Sequence, residues 1–448
     1  MDRLVPLADI MSALSYALDI VEGQPAGHCI RCCWIGIRIG RALGLDDARL
    51  SSLYYTIMLK DLGCSSNAAR ICSHYMTDDI AFKRSAKLLD GSIPAVLRFV
   101  LDHTGLQANM AERFKAIYVA LKTGPEVARE LIETRCTRGA EIAKQLRFSD
   151  EVARAIHCLD EYWNGAGKPD RLAGHDIPQF SQIALLSQVV DVFHTASGQE
   201  QALSEIRSRS GSWFDPHLVE VFEQVSAAPG FWRELASDDL DAAVLSLEPA
   251  RERMYADEDY LDDIATAFAQ VIDAKSPFTA GHSDRVMVYA DMIANEMGCD
   301  PEHRRFLRRA SLLHDIGKLG ISNSILDKPD KLNDDEFATI KRHPVYSAEI
   351  LFRISAFEGV VPIARGHHER LDGKGYPDGL VGDEIDMNTR IVTVADIFDA
   401  LTADRPYRKA MPQDKAMSIL DDMSGSAIDG DCLKALKSAI AVMETGAA

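Results

Sequence analysis

His314-Asp315-Ile316-Gly317-Lys318 is the stretch on which the reading of this chain turns. A neutral imidazole and an adjacent carboxylate can both reach metal: the ring gives one ligand, and the carboxylate can bridge two ions. An isolated His-Asp pair is weak evidence, because most such pairs are surface polar residues or helix caps. This pair has companions in a fixed order. Gly281-His282-Ser283-Asp284-Arg285 lies upstream and His343-Pro344 follows. Then comes His367-His368-Glu369-Arg370-Leu371-Asp372-Gly373-Lys374-Gly375-Tyr376-Pro377, and Asp396-Ile397-Phe398-Asp399-Ala400-Leu401 closes the set.

Around these motifs the pattern is helical. Ala310 to His314 reads as a short apolar helix end delivering His314 and Asp315 inward, with Gly317 stopping it as a C-cap glycine. Val361 to Glu369 reads as a second helix presenting His367 and His368, whose directions differ by about 100°. Ile391 to Leu401 reads as a third, with Asp396 and Asp399 one turn apart. Gly373, Gly375 and Pro377 make a rigid loop in which glycine permits close backbone approach, and Tyr376 offers a ring and a hydroxyl.

The 448 residues suffice for two domains with full cores, and 47% apolar content fits a globular protein. A net charge of -19, from 49 basic and 68 acidic residues, argues against binding a nucleic-acid polymer or an anionic membrane. A small anionic substrate stays compatible, since metals and a few local cations can reverse the field inside one pocket. Nine cysteines without a secreted-scaffold pattern, and no signal peptide, lead us to expect reduced thiols in a cytoplasm. No apolar run approaches the roughly 18 residues that cross a bilayer.

Residues 1–250 also read as mostly helical, and they repeat the second half. Gly27-His28 with Arg31 parallels Gly281-His282 with Arg285. Lys60-Asp61-Leu62-Gly63 follows His28 by 32 residues, as His314-Asp315-Ile316-Gly317 follows His282. Glu161 to Pro169 parallels Glu369 to Pro377, and Val190-Asp191-Val192-Phe193 parallels Ala395-Asp396-Ile397-Phe398. Ser210-Gly211-Ser212 with Asp215 parallels Ser424-Gly425-Ser426 with Asp429. In the first copy Lys60 takes the place of His314, Leu159 and Asp160 those of His367 and His368, and Arg135 roughly that of His343. His28, Asp61 and Asp191 are what remains of the set, and Lys60 would repel a metal. The first copy therefore reads as degenerate, serving packing, dimerisation or regulation. Cys29, Cys32 and Cys33 share a helix face and read as small buried residues. Ser237 to Glu258 is acidic and irregular and reads as an exposed linker, with the boundary near residue 250, dividing the chain into 1–250 and 251–448.

From about Asp257 to the C-terminus the motifs resemble the HD-GYP family, a branch of the HD phosphohydrolases. That resemblance implies an all-α protein of two tandem HD-type domains, the second a metal-dependent phosphodiesterase acting on a cyclic dinucleotide. By it, His282, His314, Asp315 and Asp396 should hold one metal, Asp315 should bridge, and His343, His367 and His368 should hold the other. Lys318 should contact phosphate or support the nucleophile, which makes Asp315 and Lys318 the catalytic pair. Arg405 and Arg408, in Arg405-Pro406-Tyr407-Arg408, match positions that bind substrate phosphate. Tyr376 matches the tyrosine of the Gly-Tyr-Pro motif, near the nucleotide, where some members contact a partner of diguanylate-cyclase type. Two metals would activate a shared water for in-line attack on phosphorus and clamp phosphoryl oxygens. Imidazole and carboxylate ligands suit Fe or Mn, with Zn or Ni as alternatives, and argue against an all-Mg centre. Some members carry a glutamate for a third metal where this chain has Phe278, so two ions are expected.

Most of the family acts on cyclic di-GMP. A degenerate HD domain ahead of the catalytic one is similar to the 3′,3′-cGAMP phosphodiesterases, so the expectation leans to 3′,3′-cGAMP with cyclic di-GMP close behind. Two alternatives stand beside it: a catalytically weak nucleotide receptor signalling through the first domain, against which the intact ligand set argues, and a general HD nucleotidase. A homodimer is compatible with either. Outside the pattern, His175, His217 and His303 read as surface residues, Asp334-Asp335-Glu336 as an acidic first helical turn, and Asp399 as a supporting residue.

Overall fold

The computed structural model describes residues 4–89, 92–106, 108–406 and 408–446. The protein is all-α. Among the described residues the only sheet is a two-residue antiparallel pair, Val5–Pro6 with Tyr255–Ala256. The chain divides into two compact units, one ending at Tyr260 and the other starting at Leu261.

In the first unit the helices that matter below are α1 (Leu7–Val21), α2 (His28–Ala42), α3 (Asp47–Met58), α4 (Ile93–His103), α5 (Met110–Gln145), α6 (Asp150–His157) and α7 (Gln179–Ser197). Leu7, Ile10, Leu14, Leu18 and Val21 recur at helical spacing and are fully buried in α1, each worth about 1.5–3 kcal/mol. Asp46 and Ser149 cap α3 and α6 by accepting from backbone N–H groups inside those helices. The acidic stretch after Ser237 is not an exposed linker throughout. Leu240–Leu245 is helical, Glu248 is buried and accepts from the Tyr55 hydroxyl at 2.5 Å, and Tyr255–Ala256 pairs with the start of the chain. Those contacts tie residues 251–260 to the first unit. Cys29, Cys32 and Cys33 are buried free thiols, as the shared face implied.

The second unit contains α8 (Glu258–Asp273), α9 (His282–Glu296), α10 (Pro301–Leu313), α11 (Asp334–Ile340), α12 (His343–Leu351), α13 (Val361–Gly366) and α14 (Met387–Thr402). Helix α13 stops at Gly366, short of the expected Glu369, so His367 caps it and His368 lies beyond. Gly317 does not act as a left-handed cap. Its backbone packs so closely on α12 that a Cβ there would stand 2.0 Å from the His343 carbonyl oxygen and 2.5 Å from Ser347 N.

The internal repeat is visible in side-chain detail. In both copies a left-handed glycine (Gly27, φ 81°; Gly281, φ 67°) starts the helix that carries the first histidine. His28 Nδ1 bonds Asp191 at 2.6 Å and Arg31 Nε bonds the same carboxylate at 2.5 Å; His282 and Arg285 bond Asp399 at the same distances. Asp191 is thus the counterpart of Asp399, not of Asp396. One helical turn earlier, Gln188 stands where Asp396 stands, so His28 and Asp61 alone persist from the ligand set.

Candidate metal centre

The ends of four helices meet at one point in the second unit. His282 and His343 open α9 and α12, while His314 and His367 close α10 and α13. Asp315 lies between them, 1% exposed. Its Oδ2 is 3.4 Å from His282 Nε2 and 3.3 Å from His314 Nε2. Its Oδ1 is 3.2 Å from His343 Nε2 and 3.6 Å from His367 Nε2. Asp396, on α14, places Oδ1 3.4 Å from His282 Nε2. His368 lies against His367 with the rings tilted by 44° and meets His343 edge-on, at centroid distances of 4.1 and 5.0 Å. All seven expected residues therefore come together.

Each ring is turned inward by its other nitrogen. Nδ1 of His314, His343 and His367 donates to the carbonyl three residues earlier, on Ser311, Ile340 and Ala364, at 2.6, 2.7 and 2.9 Å. His282 Nδ1 donates to Asp399. These bonds put the proton on Nδ1 and leave the Nε2 lone pair facing the cluster. Two donor atoms about 2.1 Å from a shared ion lie about 3.0–3.4 Å apart at ordinary ligand angles. The separations found here, 3.2–3.6 Å, fit that requirement. His282 Nε2, His314 Nε2 and Asp315 Oδ1 are buried without a hydrogen-bond partner, and His343 Nε2 and His367 Nε2 face each other at 3.3 Å. Lone pairs and carboxylates opposed in a dry interior repel unless cations lie among them, so the residues fit divalent ions.

The electrostatics divide the centre. Burial opposes charge on His282, but the facing carboxylates of Asp315, Asp399 and Asp396 outweigh it and raise the ring to about 9. Burial lowers His367 to about 4 against the pull of Asp315, and burial with neighbouring rings lowers His368 as well. The carboxylate side thus attracts positive charge, while His367 and His368 stay neutral and ready to ligate.

A cleft of about 850 Å³ opens over the cluster, lined by Lys318, His343, His368, Tyr376, Asp396 and Arg405. The Lys318 ammonium rests on Asp315, and the Tyr376 ring lies 4.8 Å from His368. Glu369 holds the glycine-rich loop by accepting from the backbone N–H groups of Asp378, Gly379 and Leu380 at 2.6–3.1 Å. Arg408 is not brought to the cleft. Its guanidinium donates to the carbonyls of Ala400, Leu401 and Lys409, closing the end of α14 instead of facing a ligand. Tyr407 lies outside the described residues. Two features were not anticipated: Phe337, which lines the cleft, 46% exposed on α11 and 6.5 Å from the Tyr376 ring, and Lys341 beside it, whose ammonium lies 4.6 Å from the Phe337 ring. Their only sequence signal was an apolar residue following the Asn333–Glu336 capping box.

The corresponding place in the first unit holds fixed cations. Lys60 pairs with Asp61, and Arg135, at the His343 position, pairs with Asp160, at the His368 position. Cys64 replaces Lys318, and the Lys87 ammonium approaches Asp61 to 3.8 Å.

A family model described as HD domain matches residues 115–218 and 266–432. The chain is 52% identical to 3′3′-cGAMP-specific phosphodiesterase 3 of Vibrio cholerae, over 97% of this chain and 95% of that one. It is 36% identical to the cyclic di-GMP phosphodiesterase response regulator RpfG of Xanthomonas campestris pv. campestris, over 45% of this chain and 54% of that one. Among solved structures, a cyclic GMP-AMP specific phosphodiesterase of V. cholerae (V-cGAP3) superposes with a TM-score of 0.67 at 46% identity, covering 98% of both chains.

Proposed function

Because this chain belongs to the HD-domain family, and is a cyclic dinucleotide phosphodiesterase of its HD-GYP branch, we propose that its preferred substrate is 3′,3′-cGAMP, with cyclic di-GMP second. The observation that carries this preference is similarity through both halves. The relative named for 3′3′-cGAMP matches the degenerate first unit as well as the catalytic one, whereas RpfG matches 45% of this chain.

The family is metal-dependent. We read the centre as holding two ions, Fe or Mn, with Zn or Ni as alternatives: His282, His314, Asp315 and Asp396 around one, and Asp315, His343, His367 and His368 around the other. When bound, such ions make water nucleophilic near neutral pH and offset charge on phosphoryl oxygens. The protein's own groups do the rest. Lys318, seated on Asp315, meets a phosphate oxygen at the cleft floor, and Arg405 meets the second phosphate of the ring. Tyr376, stacked toward His368, positions the scissile phosphodiester, and Asp399 with Arg285 keeps His282 from rotating. The product is the linear dinucleotide.

No helix among the described residues is long and apolar enough to cross a membrane. Nine free cysteines suit a reducing compartment, and on that ground we place the enzyme in the cytoplasm. Contact with a diguanylate-cyclase-type partner, if made, uses the outer edge of the glycine-rich loop, where the Lys374 side chain is 78% exposed. The test is chromatography of products after incubating protein loaded anaerobically with Fe(II) or Mn(II) with 3′,3′-cGAMP, cyclic di-GMP and cyclic di-AMP. Fastest cleavage of 3′,3′-cGAMP is expected. Faster cleavage of cyclic di-GMP overturns the preference, and no cleavage by metal-loaded protein overturns the site.

A further inference from the structure

The first unit contains a second cleft, of about 600 Å³, at the side of its degenerate centre. Its walls are apolar and aromatic: Ile71, Tyr75, Phe82, Phe99, Val100 and Leu131 pack around it, with α4 and α5 forming much of the enclosure. Protein interiors are close-packed, whereas clefts of 300–1,000 Å³ with apolar walls and a few polar groups are the form of small-molecule sites.

The polar groups at its inner end identify the kind of ligand. Each cation that lines it lies against a carboxylate: Lys83 against Asp79, Lys87 against Glu22, and Arg135 against Asp160, while Lys60 and Asp61, outside the lining, pair with each other. No surplus positive charge is left for a phosphate or a carboxylate. The phosphate-binding lysine of the catalytic copy is replaced by Cys64. On the lining residues the Lys87 ammonium is buried with no hydrogen bond besides its ion pair with Glu22 at 2.8 Å, and two further atoms are buried without partners: Oε1 of Gln188, a residue 7% exposed, and Nε of Arg135. One needs a donor and the other an acceptor. Leaving such a group unpaired in a dry interior is unfavourable.

We propose that this cleft is a binding site for an uncharged amphiphile, an apolar body carrying a hydroxyl or amide head that donates to Gln188 Oε1 and accepts from Arg135 Nε. A head of this type satisfies both atoms without adding net charge to a balanced, low-dielectric floor. A dinucleotide does not suit it, because its two phosphates would meet apolar walls and cations already neutralised.

Isothermal titration of the full-length chain with decanamide, 1-decanol and decanoate tests this. Decanamide and decanol bind one per chain, and decanoate binds at least about tenfold more weakly. Gln188→Leu weakens decanamide about tenfold, the equivalent of one buried hydrogen bond. Ala120→Trp, which fills the cleft from α5, abolishes binding; Gln188→Leu, nearly isosteric, keeps the test valid if the tryptophan variant does not fold. Three results would each overturn the proposal: no binding of decanamide or decanol, equal affinity for decanamide in wild type and Gln188→Leu, or tighter binding of decanoate than of decanamide.

Discussion

The ammonium of Lys60 rests on the carboxylate of Asp61, and both side chains are buried. In the catalytic copy the same two positions are His314 and Asp315. A cation attached to the chain thus stabilises in one unit the carboxylate that, in the function proposed above, the other unit offers to metal. It can neither be exchanged nor activate water, so the fold is kept while the chemistry is lost.

Removing that cation should be felt in stability before it is felt in turnover. Lys60→Ala leaves Asp61 charged and short of its closest partner in a dry interior, and should destabilise the first unit by about 3–5 kcal/mol. Lys60→Met with Asp61→Leu should recover most of the loss. Urea unfolding followed by circular dichroism measures both. Hydrolysis by the folded Lys60→Ala protein should be unchanged; a large loss would mean that the first unit takes part in turnover.

Asp399 touches no substrate atom in this reading, yet it fixes His282 through Nδ1. Asp399→Asn removes the charged acceptor and frees the ring, and metal affinity should fall about 10–100-fold. Metal titration reads this directly. Excess metal should rescue the Asn variant, whereas Asp315→Asn, which removes a carboxylate from the centre itself, should stay impaired by about 10²-fold or more.

Gly317→Ala should damage the centre without altering any candidate ligand. The new Cβ would lie 2.0 Å from the His343 carbonyl oxygen, so α12 must move and take His343 with it. We expect a loss of about 1–3 kcal/mol in stability together with reduced metal content, measured by urea unfolding and elemental analysis.

Acid sensitivity of the first unit should depend on a balance between His28 and Asp19. Burial, and then the Lys60 ammonium, lower His28 to about 4 although Asp191 pulls the other way. The unfolded chain therefore takes up this proton first, and stability is lost as pH falls from about 6.5 toward 4. Burial raises Asp19 to about 6, outweighing its hydrogen bond from Cys29 and the charge of Lys60. There the folded chain takes up the proton first, and stability is gained as pH falls through about 6. The two effects largely offset each other in the wild type. Asp19→Asn removes the second, and the first unit should then lose about 2 kcal/mol between pH 6.5 and 4.5, against less than about 0.5 kcal/mol in the wild type. Urea midpoints at the two pH values distinguish these outcomes.

Much of the centre was legible in the chain because its groups are chemically rare in an interior. Five histidines and two aspartates in order have few roles other than holding ions, and the motifs around them recur in the same order in the first copy. Legibility ended where one helical turn separates two equal residues. Asp396 and Asp399 lie on one face of α14, and spacing alone matched Asp191 to the wrong one; the hydrogen bonds from His28 and Arg31 decide it. Arg408 carries the right charge at the right motif position, but neighbouring carbonyls take its donors.

The sequence by itself determined the helical class, the duplication, the loss of ligands in the first copy and the identity of the seven grouped side chains, since these follow from residue type and order. Only the tertiary structure decided which way each imidazole points, that Gly317 serves close packing and not a turn, that Lys60 and Arg135 neutralise Asp61 and Asp160, and that an apolar cleft adjoins them. Those properties depend on distances between residues far apart in the chain, and no local pattern encodes such distances.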